Sequence, residues 1–385
     1  MIPYGKQDIN QQDINAVIKV LQSDFLTQGP KVPLFEAAIK SVCDTQHAVA
    51  VNSATSALHI ACLALGVGKG DLVWTSPITF VASANCALYC GASVDFVDID
   101  VQTYNLCPIQ LEQKLIKAKK NSRLPKVVIP VHLAGQSCEL QRIHQLSLEY
   151  GFAIIEDAAH AIGGKYQDQA IGNCQYSDIS IFSFHPVKII TTAEGGIATT
   201  NNQALADKMT RLRSHGITRD EKLMTEPSHG DWYYQQLELG FNYRMTELQA
   251  ALGISQLDRL EEFVASRKKR AAYYDQQLAD LPIVLPKQLE QSESSWHLYI
   301  IQIELDKIDK SHQQVFNELR EAGIGVNLHY IPVHLQPYYQ TLGFKTGDLP
   351  EAEAYYARAL SIPLYAQLCK TDQDTVINSL KRVLS

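Results

Sequence analysis

Residues 126–157 read KVVIPVHLAGQSCELQRIHQLSLEYGFAIIED. Two runs in this stretch, Lys126–His132 and Phe152–Asp157, are almost continuously apolar rather than alternating, and residues 138–150 between them keep a helical period. A strand with one wet face alternates, whereas an unbroken apolar run suits a strand covered on both faces, the usual state in a parallel sheet. The same rhythm continues outward. It predicts further strands near 48–52, 71–75, 93–98, 178–184 and 195–200, and helices near 55–65, 79–90, 109–119 and 202–214. Strands that alternate with helices imply an α/β protein whose mostly parallel seven-stranded sheet has helices on both faces.

The ends of the chain read differently. A helical opening over 8–21 leads to a turn at Thr27-Gln28-Gly29-Pro30. From about Met245 to Leu281 a helical period runs almost unbroken, and it predicts one long helix leaving the first domain. Beyond it, WHLYIIQIEL reads as a strand, HQQVFNELREAG as a helix closed by Gly323, IGVNLHY as a strand, and 349–360 and 371–384 as helices. The expected division is a large domain over 1–255, with an N-terminal arm, and a smaller α+β domain over 256–385.

Composition narrows the class of partner. The 385 residues carry 34 basic and 41 acidic side chains, a net charge of −7, which argues against nucleic acid or an anionic membrane. No apolar run reaches the ~18 residues that cross a bilayer, and MIPYGKQDIN has no apolar signal core, so the chain is expected to be soluble and cytoplasmic. The eight cysteines form no CxxC pair and read as buried free thiols. His329 and His334 in HYIPVH are separated by Pro332, which excludes a helical two-histidine face, and no metal site is expected.

In an open parallel sheet, ligands bind beyond the carboxyl ends of the strands, so polar residues at those ends matter first. After Val51-Asn52, the run Ser53-Ala54-Thr55-Ser56 opens a helix whose free N–H groups and hydroxyls suit a phosphate; plain N-capping by Ser53 is the alternative. Asp157 ends an apolar strand, where a carboxylate is costly unless it meets a cation, a helix cap or an ion pair. Lys188, flanked by apolar residues in HPVKII, is poorly placed for solvent, and burial lowers an amine pKa toward that of a nucleophile. Ser183, five residues earlier, could add a hydroxyl to the anion site. Phe80, after the strand ending at Trp74-Thr75, could stack on a flat ring or simply pack in the core.

Together these features match the needs of pyridoxal 5′-phosphate: a phosphate clamp, a ring stack, a partner for the pyridinium nitrogen and an amine for the aldehyde. Gly66-Val67-Gly68-Lys69-Gly70 follows a helix and precedes a strand, the reverse of a dinucleotide fingerprint, and no GxxxxGK[ST] loop exists.

The ordered motifs NSATSAL, SPITFVASAN, HLAGQ, EDAAHAIGG, FSFHPVKIITTAEGG, RSHGI and GFNYRMTELQAALG resemble the DegT/DnrJ/StrS family of PLP-dependent sugar aminotransferases, of fold type I, over nearly the whole chain. The resemblance implies that Lys188 holds the cofactor's aldehyde and Asp157 faces its pyridine nitrogen. Thr55, Ser56 and Ser183 would hold the phosphate, with Asn242 reaching it from the neighbouring subunit of a homodimer. Many members have Gln where this chain has His160, which would face the cofactor's 3-oxygen or cap the following turn. Relatives with His in place of the lysine are sugar dehydratases, so Lys188 favours amino transfer. The activity implied moves an amino group from L-glutamate to C4 of a UDP-linked 4-keto-6-deoxy-N-acetylhexosamine. The alternatives are another nucleotide-linked keto sugar, such as a dTDP-3- or 4-keto hexose, or a non-catalytic PLP- or sugar-binding regulator. Sugar-pocket candidates are Tyr4, Gln28, His185, Arg213, His215, His329 and Tyr330.

Overall fold

The computed structural model describes Met1–Ser385, and it contains all seven strands of the predicted sheet. They are β1 (His47–Val51), β2 (Leu72–Thr75), β3 (Ser93–Phe96), β4 (Val127–Ile129), β5 (Ala153–Asp157), β6 (Ile179–Ser183) and β7 (Gly196–Thr200). Their spatial order is β1-β7-β6-β5-β4-β2-β3. Only β7 runs against its neighbours, pairing Gly196 with Val51 on one side and with Ser183 on the other. The carboxyl ends of the other six strands therefore share one edge, and the first residue of β7 sits on it.

Helices α1 (Gln11–Leu21), α2 (Lys31–Cys43), α3 (Ala54–Ala64), α4 (Ala82–Tyr89), α5 (Pro108–Lys120), α6 (Leu140–Tyr150) and α7 (Gln203–Leu212) surround the sheet. Strand periodicity sorts its side chains between two cores. Val51, Val73, Ile129, Ile155 and Ile181 pack with α3, α4 and α7. Ala50, Trp74, Val128, Ile154 and Phe182 pack with α2, α5 and α6. By the same parity Asp157 faces the α3 and α4 side. Glu156 faces the opposite side, where it binds His132 Nε2 at 2.8 Å and Ser177 Oγ at 2.5 Å.

The strand read over IGVNLHY shortens to Ile324–Gly325, and three further elements differ from the sequence reading. Helix α2 was not predicted, because Pro30 gives it no side-chain cap and its cap comes from far along the chain. The Lys31 and Val32 amides donate to the buried Glu247 carboxylate at 2.6 and 3.1 Å. The single long helix expected over 245–281 is two helices, α8 (Glu247–Leu257) and α9 (Leu260–Leu278). Arg259 leaves the helical conformation at the junction, and its guanidinium binds Asp8 at 2.8 Å and the buried Asp13 at 2.6 Å. Finally, the end of the helix expected over 349–360 is a strand. Residues Ala359–Ile362 pair with Tyr299–Ile303, and Tyr299–Ile303 also pairs with Ile283–Val284. Helix His312–Glu321 and helix Lys370–Leu384 pack on that three-stranded sheet to form a third core. The N-terminal strand Ile2–Pro3 pairs in parallel with Ile324–Gly325. No helix is long and apolar enough to cross a membrane.

Candidate active site

Asp157 is the last residue of β5 and only 6% exposed, yet it makes no ion pair. Its Oδ2 accepts from Ser83 Oγ at 2.5 Å and its Oδ1 accepts from the Ala159 amide at 3.1 Å. A buried carboxylate served by two neutral donors leaves a negative charge without a compensating cation, the environment that a protonated ring nitrogen would complete. Ser83 was not singled out in the sequence. Its only signal there was its place in SPITFVASAN, on the helix that follows a strand end.

Lys188 lies in the turn after β6, where its amide donates to the His185 carbonyl at 2.9 Å. Burial drives its amine down to about 8, and the Asp157 carboxylate opposes that shift. About one amine in ten is then neutral at pH 7, against about one in three thousand for an ordinary lysine. The rate at which the cofactor-free protein captures pyridoxal 5′-phosphate is expected to rise about tenfold per pH unit from pH 6 and to level off near pH 8. In Asp157→Asn the midpoint falls, because the charge that favours the ammonium is gone. Stopped-flow absorbance measures both, and a wild-type midpoint near 10 would contradict the assignment.

His160 has both ring nitrogens engaged. The Ala134 amide donates to Nδ1 at 3.3 Å, so Nδ1 carries no proton and Nε2–H points to the Tyr330 hydroxyl at 3.1 Å. Burial, reinforced by Lys188 and His329, holds this imidazole well below its ordinary pKa, so it is neutral. Tyr330 accepts from His160 and keeps its own hydrogen to donate. His329 is neutral too: burial and the Lys188 charge push it down to about 3, and its Nδ1 lies 2.8 Å from Ser361 Oγ. The Tyr4 ring packs on His329 with centroids 5.1 Å apart. His297, absent from the sequence reading, packs 4.3 Å from His160 and is held well below its ordinary pKa by burial.

The phosphate candidates meet around Gly196. Ser53 caps α3 by accepting from the Ser56 amide at 3.1 Å, while Ser56 Oγ is turned to Asn52 Oδ1 at 2.6 Å. The amides at the first two positions of α3, Ala54 and Thr55, have no intrahelical acceptor, and the Thr55 and Ser183 hydroxyls have no partner in the chain. A Cβ at Gly196 would lie 2.4 Å from the Ala54 nitrogen. That missing side chain lets the start of α3 close on the strand ends. Gly196→Ala is expected to push α3 outward at a cost of about 1–3 kcal/mol and to weaken phosphate binding. A thermal melt and competition by inorganic phosphate check it, and unchanged values in both would contradict the packing argument.

Phe80 stands at the mouth, 61% exposed, with its ring centroid 6.4 Å from that of Tyr330. The structure thus brings Tyr4, His329 and Tyr330 to the Lys188 side, and it does not bring Arg213. The Arg213 guanidinium is held by Glu36 Oε1 at 2.5 Å and by the Ala50 carbonyl at 2.8 Å, which leaves it to a structural ion pair. Gln28, His185 and His215 are exposed and make no side-chain hydrogen bond within the chain. Asn242 is exposed as well, and its carbonyl accepts weakly from Asn52 Nδ2 at 3.5 Å.

The model of the DegT/DnrJ/EryC1/StrS aminotransferase family matches residues 7–381. The chain belongs to that family. Its fold is that of the PLP-dependent aminotransferases, and pyridoxal 5′-phosphate is its cofactor. The chain is 38% identical to the UDP-4-amino-4,6-dideoxy-N-acetyl-beta-L-altrosamine transaminase of Campylobacter jejuni, over all of this chain and 98% of that one. It is equally 38% identical to the spore coat polysaccharide biosynthesis protein SpsC of Bacillus subtilis, over all of this chain and 97% of that one. Helicobacter pylori PseC, an aminotransferase of pseudaminic acid biosynthesis, superposes with a TM-score of 0.91 at 31% identity, covering all of this chain and 99% of that one.

Proposed function

We propose that this aminotransferase moves the amino group of L-glutamate to C4 of a UDP-linked 4-keto-6-deoxy-N-acetylhexosamine, yielding UDP-4-amino-4,6-dideoxy-N-acetyl-β-L-altrosamine. The observation that carries the sugar assignment is the full-length similarity to the Campylobacter transaminase. The chemistry rests on a lysine amine lowered to about 8 beside a buried, unpaired carboxylate. When bound, the cofactor supplies an aldehyde that takes up the amino group and a ring that spreads the electrons left on carbon. Lys188 Nζ would hold the aldehyde and, as a free neutral amine, carry the proton. Asp157 would keep the ring nitrogen protonated. The free hydroxyls of Thr55 and Ser183 would anchor the phosphate, joined by that of Ser56 once it turns from Asn52, and the Tyr330 hydroxyl would donate into the site.

The equal identity to SpsC supports a second reading, in which another nucleotide-linked keto sugar is the acceptor. Turnover with UDP-4-keto and dTDP-4-keto sugars, assayed side by side, separates them: a preference for the UDP sugar supports the first reading, and a preference for the dTDP sugar overturns it.

The working unit in this proposal is a homodimer in which Asn242 serves the partner's phosphate. Its exposed side chain and the exposed apolar residues Ile14, Ile18, Leu21 and Phe25 of the N-terminal segment fit a surface covered by a second copy. Inactive Lys188→Ala and Asn242→Asp proteins, mixed under conditions of subunit exchange, are expected to regain activity, since one site of the mixed dimer carries neither lesion. Aspartate is chosen because it sets an anion against the phosphate. Absence of recovery after verified exchange would place Asn242 in its own subunit's site or in none.

A further inference from the structure

Ser83 Oγ lies 2.5 Å from Asp157 Oδ2 and 2.7 Å from Thr79 Oγ1. All three side chains are buried, with Ser83 fully enclosed. A hydroxyl has one hydrogen and an ionised carboxylate only accepts, so the Ser83 hydrogen goes to Asp157. Thr79 must then be the donor to Ser83 Oγ, which fixes the direction of the whole chain from Thr79 through Ser83 to Asp157. The alternative acceptor for Ser83, the Phe80 carbonyl, is 3.4 Å away. On the other side the Ala159 amide donates to Oδ1 at 3.1 Å. Each carboxylate oxygen thus holds one donor. The Ala159 bond comes from a residue two places along the same turn, so only the bond from α4 ties the carboxylate to a separate element.

We propose that Ser83, oriented by Thr79, is a positioning residue for Asp157: it locks the rotation of the carboxylate and leaves a lone pair free for a protonated ring nitrogen. The proposal rests on the reading of Asp157 as the partner of that nitrogen. Donors to a carboxylate favour its charged form, and aligned hydroxyls polarise one another in a dry interior. Without Ser83, Asp157 keeps only the local Ala159 bond and loses its fixed orientation.

The test measures the dissociation constant of pyridoxal 5′-phosphate from cofactor-free protein by absorbance titration, with inorganic phosphate as a competitor. Ser83→Ala is expected to bind the cofactor about tenfold more weakly, the loss of one hydrogen bond to a charged group, with phosphate competition unchanged. Ser83→Thr, which keeps the hydroxyl, returns to within about threefold of the parent protein, and Thr79→Val falls between the two serine variants. Asp157→Asn is titrated alongside. If Asp157→Asn weakens binding and Ser83→Ala does not, the positioning role is overturned while the reading of Asp157 stands. If neither changes affinity, Asp157 is not the partner of the ring nitrogen and both ideas fall. If Ser83→Ala weakens cofactor and phosphate alike and threonine does not restore them, Ser83 is a packing residue and the proposal is wrong.

Discussion

Replacing Lys188 by alanine is expected to lower turnover by at least about 10⁴-fold without unfolding the protein. Deleting a general base alone typically costs ~10²–10⁴-fold, and in the proposed site the same amine would also hold the cofactor covalently, so two functions would go at once. The side chain sits in a turn after β6 rather than in a strand, and no side-chain hydrogen bond of the fold depends on it. Removing it also removes an amine whose burial disfavours its charge. The far-ultraviolet circular dichroism and the thermal midpoint should therefore be kept, while the visible band of bound cofactor changes. More than a tenth of parental turnover, without added amine, would refute the assignment.

The second large effect is expected at Asp157. Asparagine keeps the size of the side chain but not its charge, and it leaves a cationic ring nitrogen buried without a partner. Breaking one side of a buried charge pair costs about 3–5 kcal/mol, so turnover should fall about 10²–10⁴-fold. The proposed phosphate cradle around Gly196 is untouched, so inorganic phosphate should compete as before. Because the Asp157 charge supports the Lys188 ammonium, the same variant shifts the pH profile of cofactor capture downward. Unchanged kinetics would give Asp157 a structural role only.

The large sheet was legible because its signals are local. Unbroken apolar runs such as FAIIED mark doubly covered strands, and each of the seven lies within a few residues of its predicted place. Asp157 and Lys188 stood out as candidates for a related reason: an ionisable residue in an apolar setting is conspicuous in the sequence itself. What was missed depends on contacts between distant residues. Helix α2 is capped by Glu247 from more than two hundred positions away, and the break before α9 is set by Asp8 and Asp13. The strand Ala359–Ile362 is a strand only because Tyr299–Ile303 pairs with it. Ser83 and His297 escaped for the same reason, since a buried serine or histidine looks ordinary until the fold puts it beside Asp157 or His160. Arg213 misled in the opposite direction. It stood among the sugar-pocket candidates, but Glu36 answers its charge inside the chain.

If this site passes an amino group from an amino acid to a keto sugar, the two halves of that transfer can be watched separately. Purified protein loaded with pyridoxal 5′-phosphate is mixed with L-glutamate, and its visible spectrum is followed; the glutamate is removed by gel filtration and the UDP-linked 4-keto-6-deoxy-N-acetylhexosamine is then added. The expected result is loss of the visible band with glutamate, its return with the sugar, and about one amino sugar formed per Lys188. A band that persists in glutamate, or that bleaches and does not return with the keto sugar, would contradict this account.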